Sequence, residues 1–337
     1  MPSISVILPV HQGELYLEKC VESVRNQSFQ DWELLIIDDG SSDGTPAICD
    51  RCAKEDDRIR VFHRHKSGGF SEARNVGLKE ARGDHIAFLN VDDRYEYKAL
   101  ETMWSALQQS GADTVGFGHL MLDAAGGKGQ RTLLPEGVYD AQAIREQIVA
   151  PLLGRRLKSP VFGGHAWRYL FSAKVIRSAK LSFYGNYRPD ELFVLEYFCC
   201  ARTLTVTEQP LYRFFLNPAD QAGYRKDFYA VFRRFMARKE TIAKKYDLDS
   251  LCPQWRENCN WAGLLSAMDN EYAKENPIPV RQKQKAVQEL CAKEEMAAAI
   301  AALTPEGLNP RWQMAANFIR GKHFFLLTQM YRLQFGI

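Results

Sequence analysis

Two clusters of carboxylate residues each stand directly after an apolar run, and this arrangement limits what the chain can fold into. The runs Trp32–Ile37 and Ile86–Leu89 are typical of strands in a parallel sheet that is covered on both faces. The clusters that follow them are Asp38–Ser42 and Asn90–Asp93. Because the carboxyl ends of parallel strands meet at one edge of a sheet, we expect both clusters to lie together there. Such an edge suits a metal ion and a nucleotide.

The first 111 residues alternate between strand and helix patterns. Four strands are predicted, at Ile4–Val10, Trp32–Ile37, Arg58–His63 and His85–Asn90. The predicted helices are Glu14–Gln27, a helix opening at Thr45–Pro46, Ser71–Arg82 and Tyr97–Ser110. This alternation predicts an α/β fold with a parallel sheet, whose ligands bind beyond the carboxyl ends of the strands.

The pattern changes along the rest of the chain. Two helices and a strand are predicted at 140–153, Asp190–Ala201 and Thr203–Leu216. From about residue 225 long charged helical segments follow, broken by prolines. A chain of 337 residues exceeds a single core, because one domain takes roughly 150 residues. We therefore predict one domain over 1–222 and a C-terminal helical region over 223–337.

The composition is that of an ordinary globular protein, with 46% hydrophobic and 25% charged residues. A formal net charge of +3 is too small to indicate nucleic-acid binding, which needs a clustered basic face, so we expect no nucleic-acid partner. We find no basic region before an apolar stretch at the start and no run of roughly 18 apolar residues. The eight cysteines are typical of free thiols in a reducing compartment, and together these features predict a cytoplasmic location.

Four motifs resemble, in this order, the GT-A family of inverting glycosyltransferases often called family 2. They are Ser5–Val10 at the first strand, Glu33–Thr45 at the second, Gly68–Gly77 at the following turn and helix, and Phe88–Asp93 at the fourth strand. A weaker resemblance continues to about residue 220, and the C-terminal third is not covered. The resemblance implies a Rossmann-like, mostly parallel sheet flanked by helices, with a nucleotide-binding half over 1–111 and an acceptor-binding half over 112–222.

The same resemblance implies a reaction. It is the inverting transfer of a hexose from a nucleotide-diphosphate sugar, expected to be a UDP-sugar, to a saccharide or lipid-linked acceptor in surface polysaccharide synthesis. A divalent cation, Mg²⁺ or Mn²⁺, is the expected cofactor because it neutralises charge on the leaving diphosphate. Two alternatives stay open: a nucleotide-sugar-binding protein without turnover, and a nucleotidyltransferase, for which His11–Glu14 makes a poor triphosphate cradle.

The resemblance also assigns residues to the nucleotide-sugar site. Pro9 and Val10 are expected beneath the nucleoside, and Asp39 is expected to read the base by accepting a hydrogen bond from an N–H of uracil. Arg74 and Asn75 start a helix, where a cation and backbone amides can face a diphosphate. The open alternatives are a turn in which the side chains of Asp38 and Asp39 cap backbone amides, and ordinary packing and capping for Arg74 and Asn75.

The second acid cluster is the expected metal site. By resemblance, Asp92 and Asp93 hold the ribose, the diphosphate and the metal ion, with Asp93 as the direct ligand. Hard cations take carboxylate oxygens together with substrate phosphates, which agrees with this assignment. Asn90 stands where an acid is common in the family, and because an amide carries no charge, we expect a lower metal affinity.

Inverting transfer needs a base that takes the proton of the attacking hydroxyl. Asp190 is the candidate, because Pro189–Phe193 resembles the family's Glu-Asp-x-x-Phe segment, with proline in place of the glutamate. Glu191 is the alternative base, and a helix N-cap is the alternative role for Asp190. Trp167 could stack on a sugar ring, with packing as its alternative.

The last segment, Arg311–Ile337, combines basic and aromatic residues and has no acidic residue. Such a segment can lie on an anionic membrane, which would suit a lipid-linked acceptor and a peripheral position on the inner membrane face. The alternatives are that its aromatic residues close the helical region or form a dimer contact.

Overall fold

A computed structural model describes residues 1–123, 127–155, 164–216, 223–303 and 308–336. Its contacts divide the chain into two units. The first comprises Met1–Val149 and Phe162–Asp220, and the second comprises Ala150–Val161 and Gln221–Ile337. The expected boundary between 222 and 223 adjoins residues outside the described ranges, so the domain limits stay a prediction.

The N-terminal strands of the first unit form a parallel sheet. They are β1 (Ile4–Val10), β2 (Trp32–Asp38), β3 (Ile59–His63) and β4 (His85–Phe88), and they pair in the order β3-β2-β1-β4. Every residue of β1 and β2 is buried, which explains why both segments are almost continuously apolar. The predicted α/β fold class with a Rossmann-like parallel arrangement is confirmed.

Helices follow these strands. They are α1 (Leu17–Arg25), α2 (Thr45–Glu55), α3 (Phe70–Glu80) and, after the two-residue strand β5 (Arg94–Tyr95), α4 (Ala99–Ser110). Helix α3 packs very closely on β1, because a Cβ atom added to Gly77 would lie 2.4 Å from Cγ2 of Ile7. The helix starts after Gly69, whose φ of 86° lies in the left-handed region that favours glycine. Gly69 thus sets the residue at which α3 starts, and Gly77 allows the helix to lie close to β1.

The other half of the sheet is mixed. Its strands are β6 (Thr114–Leu122), β7 (Lys128–Arg131), β8 (Gly137–Tyr139), β9 (Tyr169–Ser172) and β10 (Leu204–Phe215). Strand β9 runs antiparallel between β4 and β6, and β6 pairs in parallel with β10. Strand β10 contains Pro210, and the register with β6 shifts on both sides of that residue. Strands β5 and β8 pair with β10, and β7 pairs with β6.

The remaining helical segments of the first unit lie between β8 and β10 in the sequence. They are α5 (Ala141–Ile144), the π-helical segment Arg145–Val149, the 3-10 turn Ala166–Arg168, α6 (Ala173–Ala179) and α7 (Pro189–Phe198). All eight residues from Glu191 to Phe198 are buried, so α7 is a core helix. Only its first turn, with Pro189 and Asp190, reaches partly into solvent. Proline fits there, because the first turn of a helix has no need of that N–H.

The second unit is helical in the ranges described. It holds the turns Pro151–Arg155 and Asp249–Leu251 and the helices α8 (Phe228–Lys245), α9 (Trp255–Glu271), α10 (Val280–Cys291), α11 (Glu294–Ala302), α12 (Pro310–Arg320) and α13 (Phe324–Phe335). Helix α9 is central, because it packs against α8, α10 and α11 and fully buries Trp255 and Trp261. Across the described ranges, no helix is both long and apolar enough to cross a membrane.

The close contact of α3 with β1 can be tested by adding one methyl group. We expect Gly77→Ala to lower the free energy of unfolding by about 1–3 kcal/mol, because the new Cβ overlaps Ile7 in a packed core. Gly129→Ala is the matched control, since nothing lies within 4 Å of a Cβ at that position. Urea unfolding monitored by tryptophan fluorescence measures both variants, and equal midpoints would contradict the packing described.

Candidate functional site

A cleft opens at the carboxyl ends of β1 and β2. Its volume, counted together with the open solvent in its mouth, is about 280 Å³, and it is lined by Pro9, Val10, His11, Asp39, Ser67, Gly69, Phe70 and Ala73. Three of the predicted nucleotide-site residues, Pro9, Val10 and Asp39, therefore share one cleft with the first turn of α3. The fold explains this, because Val10 and Asp38 are paired across β1 and β2 and Asp39 follows directly.

The carboxylate of Asp39 is buried and organises the loop before α3. It accepts hydrogen bonds from the Ser67 hydroxyl at 2.7 Å and from the N–H groups of Gly69 at 2.8 Å and Gly68 at 3.2 Å, and it pairs with Arg64. Burial raises the pKa of Asp39, but these hydrogen bonds and the Arg64 charge outweigh it, so the pKa is lowered overall. Asp39 is therefore an ionised acceptor in the wall of the cleft.

Asp38 has a different role from its neighbour. Its carboxylate accepts a hydrogen bond from the N–H of Ser41 at 3.0 Å and contacts Nδ1 of His63 at 2.8 Å. It thus caps the turn after β2, which is the structural alternative weighed for this cluster. Only one of the two adjacent acids lines the cleft.

Arg74 joins the two halves of the site. Its buried guanidinium pairs through Nη1 with Oδ1 of Asp190 and donates through Nη2 to Oδ1 of Asn90 at 3.2 Å. The other oxygen of Asp190, Oδ2, accepts from the N–H of Ala166 at 3.0 Å. The candidate base is consequently held from both sides, next to the second acid cluster.

Asn75 contacts a neighbouring loop. Its Nδ2 donates to the carbonyl of Phe183 at 3.0 Å, and its Oδ1 accepts from the N–H of the same residue at 2.8 Å. Because both polar atoms of the amide have protein partners, the geometry favours the packing alternative for Asn75. Its assignment to the diphosphate stays a prediction.

The two acids of the second cluster are placed differently. Asp93 is fully buried and accepts from the Tyr212 hydroxyl at 2.7 Å, from Nδ2 of Asn90 at 3.0 Å and from the N–H of Phe215 at 2.9 Å. Burial and then the charge of Asp92 raise the pKa of Asp93 to about 7. Asp92 is only partly buried. The carboxylate of Asp93 therefore ties the end of β4 to β10.

This placement bears on the expected metal site. In the ranges described, no group of three or more His, Cys, Asp or Glu residues could hold a metal ion. Magnesium is commonly bound through only one or two carboxylates, with substrate phosphates as the other ligands, so a partly exposed Asp92 fits such a site. Asp93 fits less well as the direct ligand because three protein donors already occupy its oxygens.

Asn90 has a structural reason to be an amide. Its Oδ1 accepts from Arg74, while its Nδ2 donates to the carboxylate of Asp93. An aspartate at this position could make the first contact but has no N–H for the second, and it would set two carboxylates side by side. The amide thus connects a cation with an acid, which sequence comparison with the family motif could not indicate.

Trp167 is packed, and the sugar-stacking alternative is not favoured. Its ring is 4% exposed and stacks on Tyr212 at 4.5 Å, Phe214 at 5.5 Å and His165 at 5.4 Å between centroids. Tyr212 and Phe214 were not predicted from the sequence to have a role. Their alternation along β10 is the signal that could have placed them together against one partner.

The sequence resembles those of known glycosyltransferases. The Glycosyl transferase family 2 model matches residues 5–173. The uncharacterized glycosyltransferase EpsJ of Bacillus subtilis is 30% identical over 220 residues, which are 65% of this chain and 62% of EpsJ. The GalNAc(5)-diNAcBac-PP-undecaprenol beta-1,3-glucosyltransferase of Campylobacter jejuni is 35% identical over 127 residues, which are 37% of this chain and 40% of that protein. The chain thus spans less than two thirds of the length of these relatives.

Solved structures share the fold. The crystal structure of Staphylococcus aureus TarS 1–349 aligns with a TM-score of 0.63 at 16% identity and covers 100% of this chain and 92% of that chain. TarS 1–349 in complex with UDP-GlcNAc aligns with a TM-score of 0.59 at 17% identity, with the same coverage. At these identities the likeness concerns the fold alone.

The buried hydrogen bond from Tyr212 to Asp93 predicts that a variant without the Tyr212 hydroxyl loses more stability at high pH than at low pH. We expect Tyr212→Phe to lower the free energy of unfolding by about 1 kcal/mol more at pH 8.5 than at pH 6, because the lost hydrogen bond is stronger when its acceptor is charged. The sign follows from the raised pKa of Asp93, about 7. In the folded protein this carboxyl group is protonated at pH 6 and charged at pH 8.5, so the hydrogen bond is stronger at the higher pH.

Tyr95→Phe is the matched control for that measurement. Tyr95 is also buried and packs edge-on against Tyr212, but its hydroxyl donates to the uncharged carbonyl of Phe88 at 3.0 Å. Its loss should cost about 1 kcal/mol at both pH values. Urea unfolding at the two pH values compares the variants with wild type, and an equal pH dependence for both would refute the proposed coupling to Asp93.

Proposed function

The chain belongs to Glycosyl transferase family 2, and on this basis we propose that it transfers a hexose, with inversion, from a UDP-sugar to a saccharide or lipid-linked acceptor in polysaccharide synthesis. The observation that carries the proposal is the Asp190 carboxylate, which Arg74 and the N–H of Ala166 hold beside the second acid cluster. The names of similar proteins add support, since one relative is a glucosyltransferase with an undecaprenol-linked substrate and TarS was solved with UDP-GlcNAc.

The donor nucleoside is assigned to the cleft of Pro9, Val10 and Asp39. Asp39 already accepts from four groups, and its contact with the N–H of Gly68 is split between both oxygens at 3.2 Å. That shared contact is the weakest of the set, so an N–H of uracil competes with it most easily. The ionised state of Asp39 then favours a base that donates a hydrogen bond.

The diphosphate is assigned to the space next to Asp92, whose carboxylate would hold Mg²⁺ or Mn²⁺. Such an ion, when bound, neutralises charge on the leaving nucleoside diphosphate. Because Asp93 is buried and hydrogen-bonded, we assign the direct contact to Asp92 in place of the Asp93 expected from the sequence. Asp93 instead fixes the turn that carries Asp92.

Asp190 is the assigned base. Its carboxylate lies at the first turn of α7 with 15% of the side chain exposed, so a hydroxyl of the acceptor can reach it while Arg74 and Ala166 keep its orientation. Glu191, the alternative, is buried and pairs with Arg188 at 3.4 Å. The proton of the attacking hydroxyl passes to Asp190 as the hydroxyl oxygen bonds to the anomeric carbon and the bond from that carbon to the nucleoside diphosphate breaks.

Two departures from the family pattern, Asn90 and Pro189, would favour a binding protein without turnover, but each has a structural explanation. Asn90 has a structural task between Arg74 and Asp93, and Pro189 stands in a helix first turn that accepts proline. Neither departure from the family pattern removes a group that the proposed reaction needs.

The proposed reaction is tested with nucleotides and with one substitution. We expect UDP with Mn²⁺ to raise the unfolding temperature of the full chain more than GDP, CDP or TDP, because a ligand that binds only the folded state stabilises it. Asp190→Asn should keep this shift but lower UDP release from UDP-hexoses in water by about 10²–10⁴-fold.

Glu191→Gln is the matched control and should retain most of the release. Full activity in Asp190→Asn would remove Asp190 from the mechanism. The absence of any nucleotide shift at millimolar concentration would refute the donor site itself.

The lipid-linked acceptor is supported by the outer face of α13. Phe325 is 65% exposed and Leu333 is 87% exposed, and the cations Lys322 and Arg332 lie near them in the sequence. No acidic residue occurs between 308 and 336. An exposed apolar face with a basic border is typical of helices that lie in the interface of anionic membranes.

Other residues of this segment close the helical unit, as the alternative interpretation expected. Tyr331 is buried and stacks on Tyr272 at 4.7 Å between ring centroids. Arg311 pairs with Asp269, and Arg320 donates to backbone carbonyls of α11 and the residue after it. The inner face thus has a packing role, and the membrane proposal concerns the outer face only.

Membrane contact is tested by vesicle sedimentation. We expect the double variant Phe325→Ser, Leu333→Ser to bind vesicles rich in phosphatidylglycerol at least tenfold more weakly than wild type, because burying each apolar side chain is worth about 1.5–3 kcal/mol. Leu15→Ser removes a leucine of the first unit that is 78% exposed and serves as control. Equal sedimentation of wild type and the double variant would exclude this face.

A further inference from the structure

Among the residues that the structure describes, Arg168 is a buried arginine without an acidic partner. It ends the turn Ala166–Arg168 just before β9, and its side chain is 2% exposed. In the described part of the chain, Nε and Nη2 of Arg168 are buried and have no hydrogen-bond partner. Burial lowers the pKa of Arg168 to about 10, so it is still charged near neutral pH. A buried, unpaired charge is strongly unfavourable unless something else compensates it.

His119 on β6, which the Arg168 charge acts on, also has a buried nitrogen without a described hydrogen-bond partner. Its Nδ1 is buried without a hydrogen-bond partner among the described residues, and its ring meets Trp167 edge-on at 4.9 Å. The guanidinium of Arg168 lies 6.0 Å from the same ring. Burial and the nearby Arg168 charge lower the pKa of His119 to about 3, so the imidazole is neutral and offers one N–H. Two unsatisfied nitrogen groups thus lie against one tryptophan.

Two acids of α7 whose charges act on His165, three residues before Arg168, are engaged elsewhere. Asp190 pairs with Arg74 and Glu191 pairs with Arg188. Arg131 adds a further positive charge that acts on His119. The surroundings therefore hold an excess of hydrogen-bond donors and positive charge, which a bound oxyanion would balance.

We propose that Arg168 and His119 form a binding site for an oxyanion, a phosphate or a carboxylate, carried by the acceptor. The planar guanidinium presents a fork of N–H groups that matches both anions, and the neutral imidazole donates when its proton is on Nδ1. The site lies close to the assigned base, since the N–H of Ala166, two residues before Arg168, holds Asp190. The proposal rests on the proposed function, because it specifies the chemistry of that acceptor.

The probes are inorganic phosphate and glucuronate, added to the full chain in chloride buffer at constant ionic strength. We expect a saturable rise of the unfolding temperature with one of them. Phosphate alone would indicate a phosphoryl group on the acceptor, and glucuronate alone a uronic acid. The rise should persist when UDP and Mn²⁺ are saturating, because the donor diphosphate occupies a different place.

Arg168→Met tests the residue itself. It keeps a side chain of similar length without charge, so we expect a higher unfolding temperature than wild type in the absence of probe and at least a tenfold weaker response to it. Arg202→Met, an exposed arginine of the same unit, is the control and should respond like wild type. If Arg168→Met does not fold, Arg168→Lys keeps the charge but not the fork, and the affinity should fall about tenfold.

Three results would overturn the proposal. They are an unchanged response in the Arg168 variants, no saturable response of wild type to either probe, and a response that disappears when UDP and Mn²⁺ are bound. The last result would assign the oxyanion to the donor site. Failure of the proposed function is distinguishable, because it would appear as a missing response to UDP whatever the two oxyanions do.

Discussion

The ion pair of Arg74 with Asp190 is the contact on which the site depends. A buried guanidinium requires anionic or polar partners, and Arg74 finds them in Asp190 of α7 and Asn90 after β4. Asn90 in turn donates to Asp93, and Asp93 accepts from Tyr212 and Phe215 of β10. One chain of polar contacts thus links two helices and two strand ends. Its geometry is set by α3, which Gly77 allows to lie directly on β1.

Two buried arginines of the first unit differ in a way that has a physical meaning. Arg74 is paired within the protein, so its charge stabilises a fixed arrangement of side chains. Arg168 has no such partner among the described residues, so its charge is available to a ligand. An unpaired buried cation lowers the free energy of unfolding. We expect such a residue where a bound anion restores that stability. The contacts alone thus assign different roles to the two arginines: Arg74 positions other side chains, and Arg168 binds the proposed ligand.

The parallel half of the sheet was predicted well from the sequence, because strands buried on both faces are nearly continuous runs of apolar residues. The limits of β1 were predicted as observed, and β2 extends one residue further, to Asp38. Short antiparallel strands such as β5 and β9 have no comparable pattern, since two to four residues are too few to show an alternation of apolar and polar residues. Family resemblance located Asp190 and the second acid cluster, and membership in that family is confirmed. It could not tell which of Asp92 and Asp93 turns inward, because that depends on donors from β10, more than a hundred residues away.

That difference between two adjacent acids has a consequence for how a cation and a donor bind. With Asp93 committed to Tyr212, Asn90 and Phe215, the protein offers a divalent cation few carboxylate oxygens at this edge of the sheet. Hard cations need six or more oxygen ligands, so phosphates of the donor and water must supply most of them. In the proposed reaction a cation at Asp92 and the nucleotide sugar would therefore strengthen each other's binding. The buried Asp93 would thereby make metal affinity a property of the complex with the donor more than of the free protein.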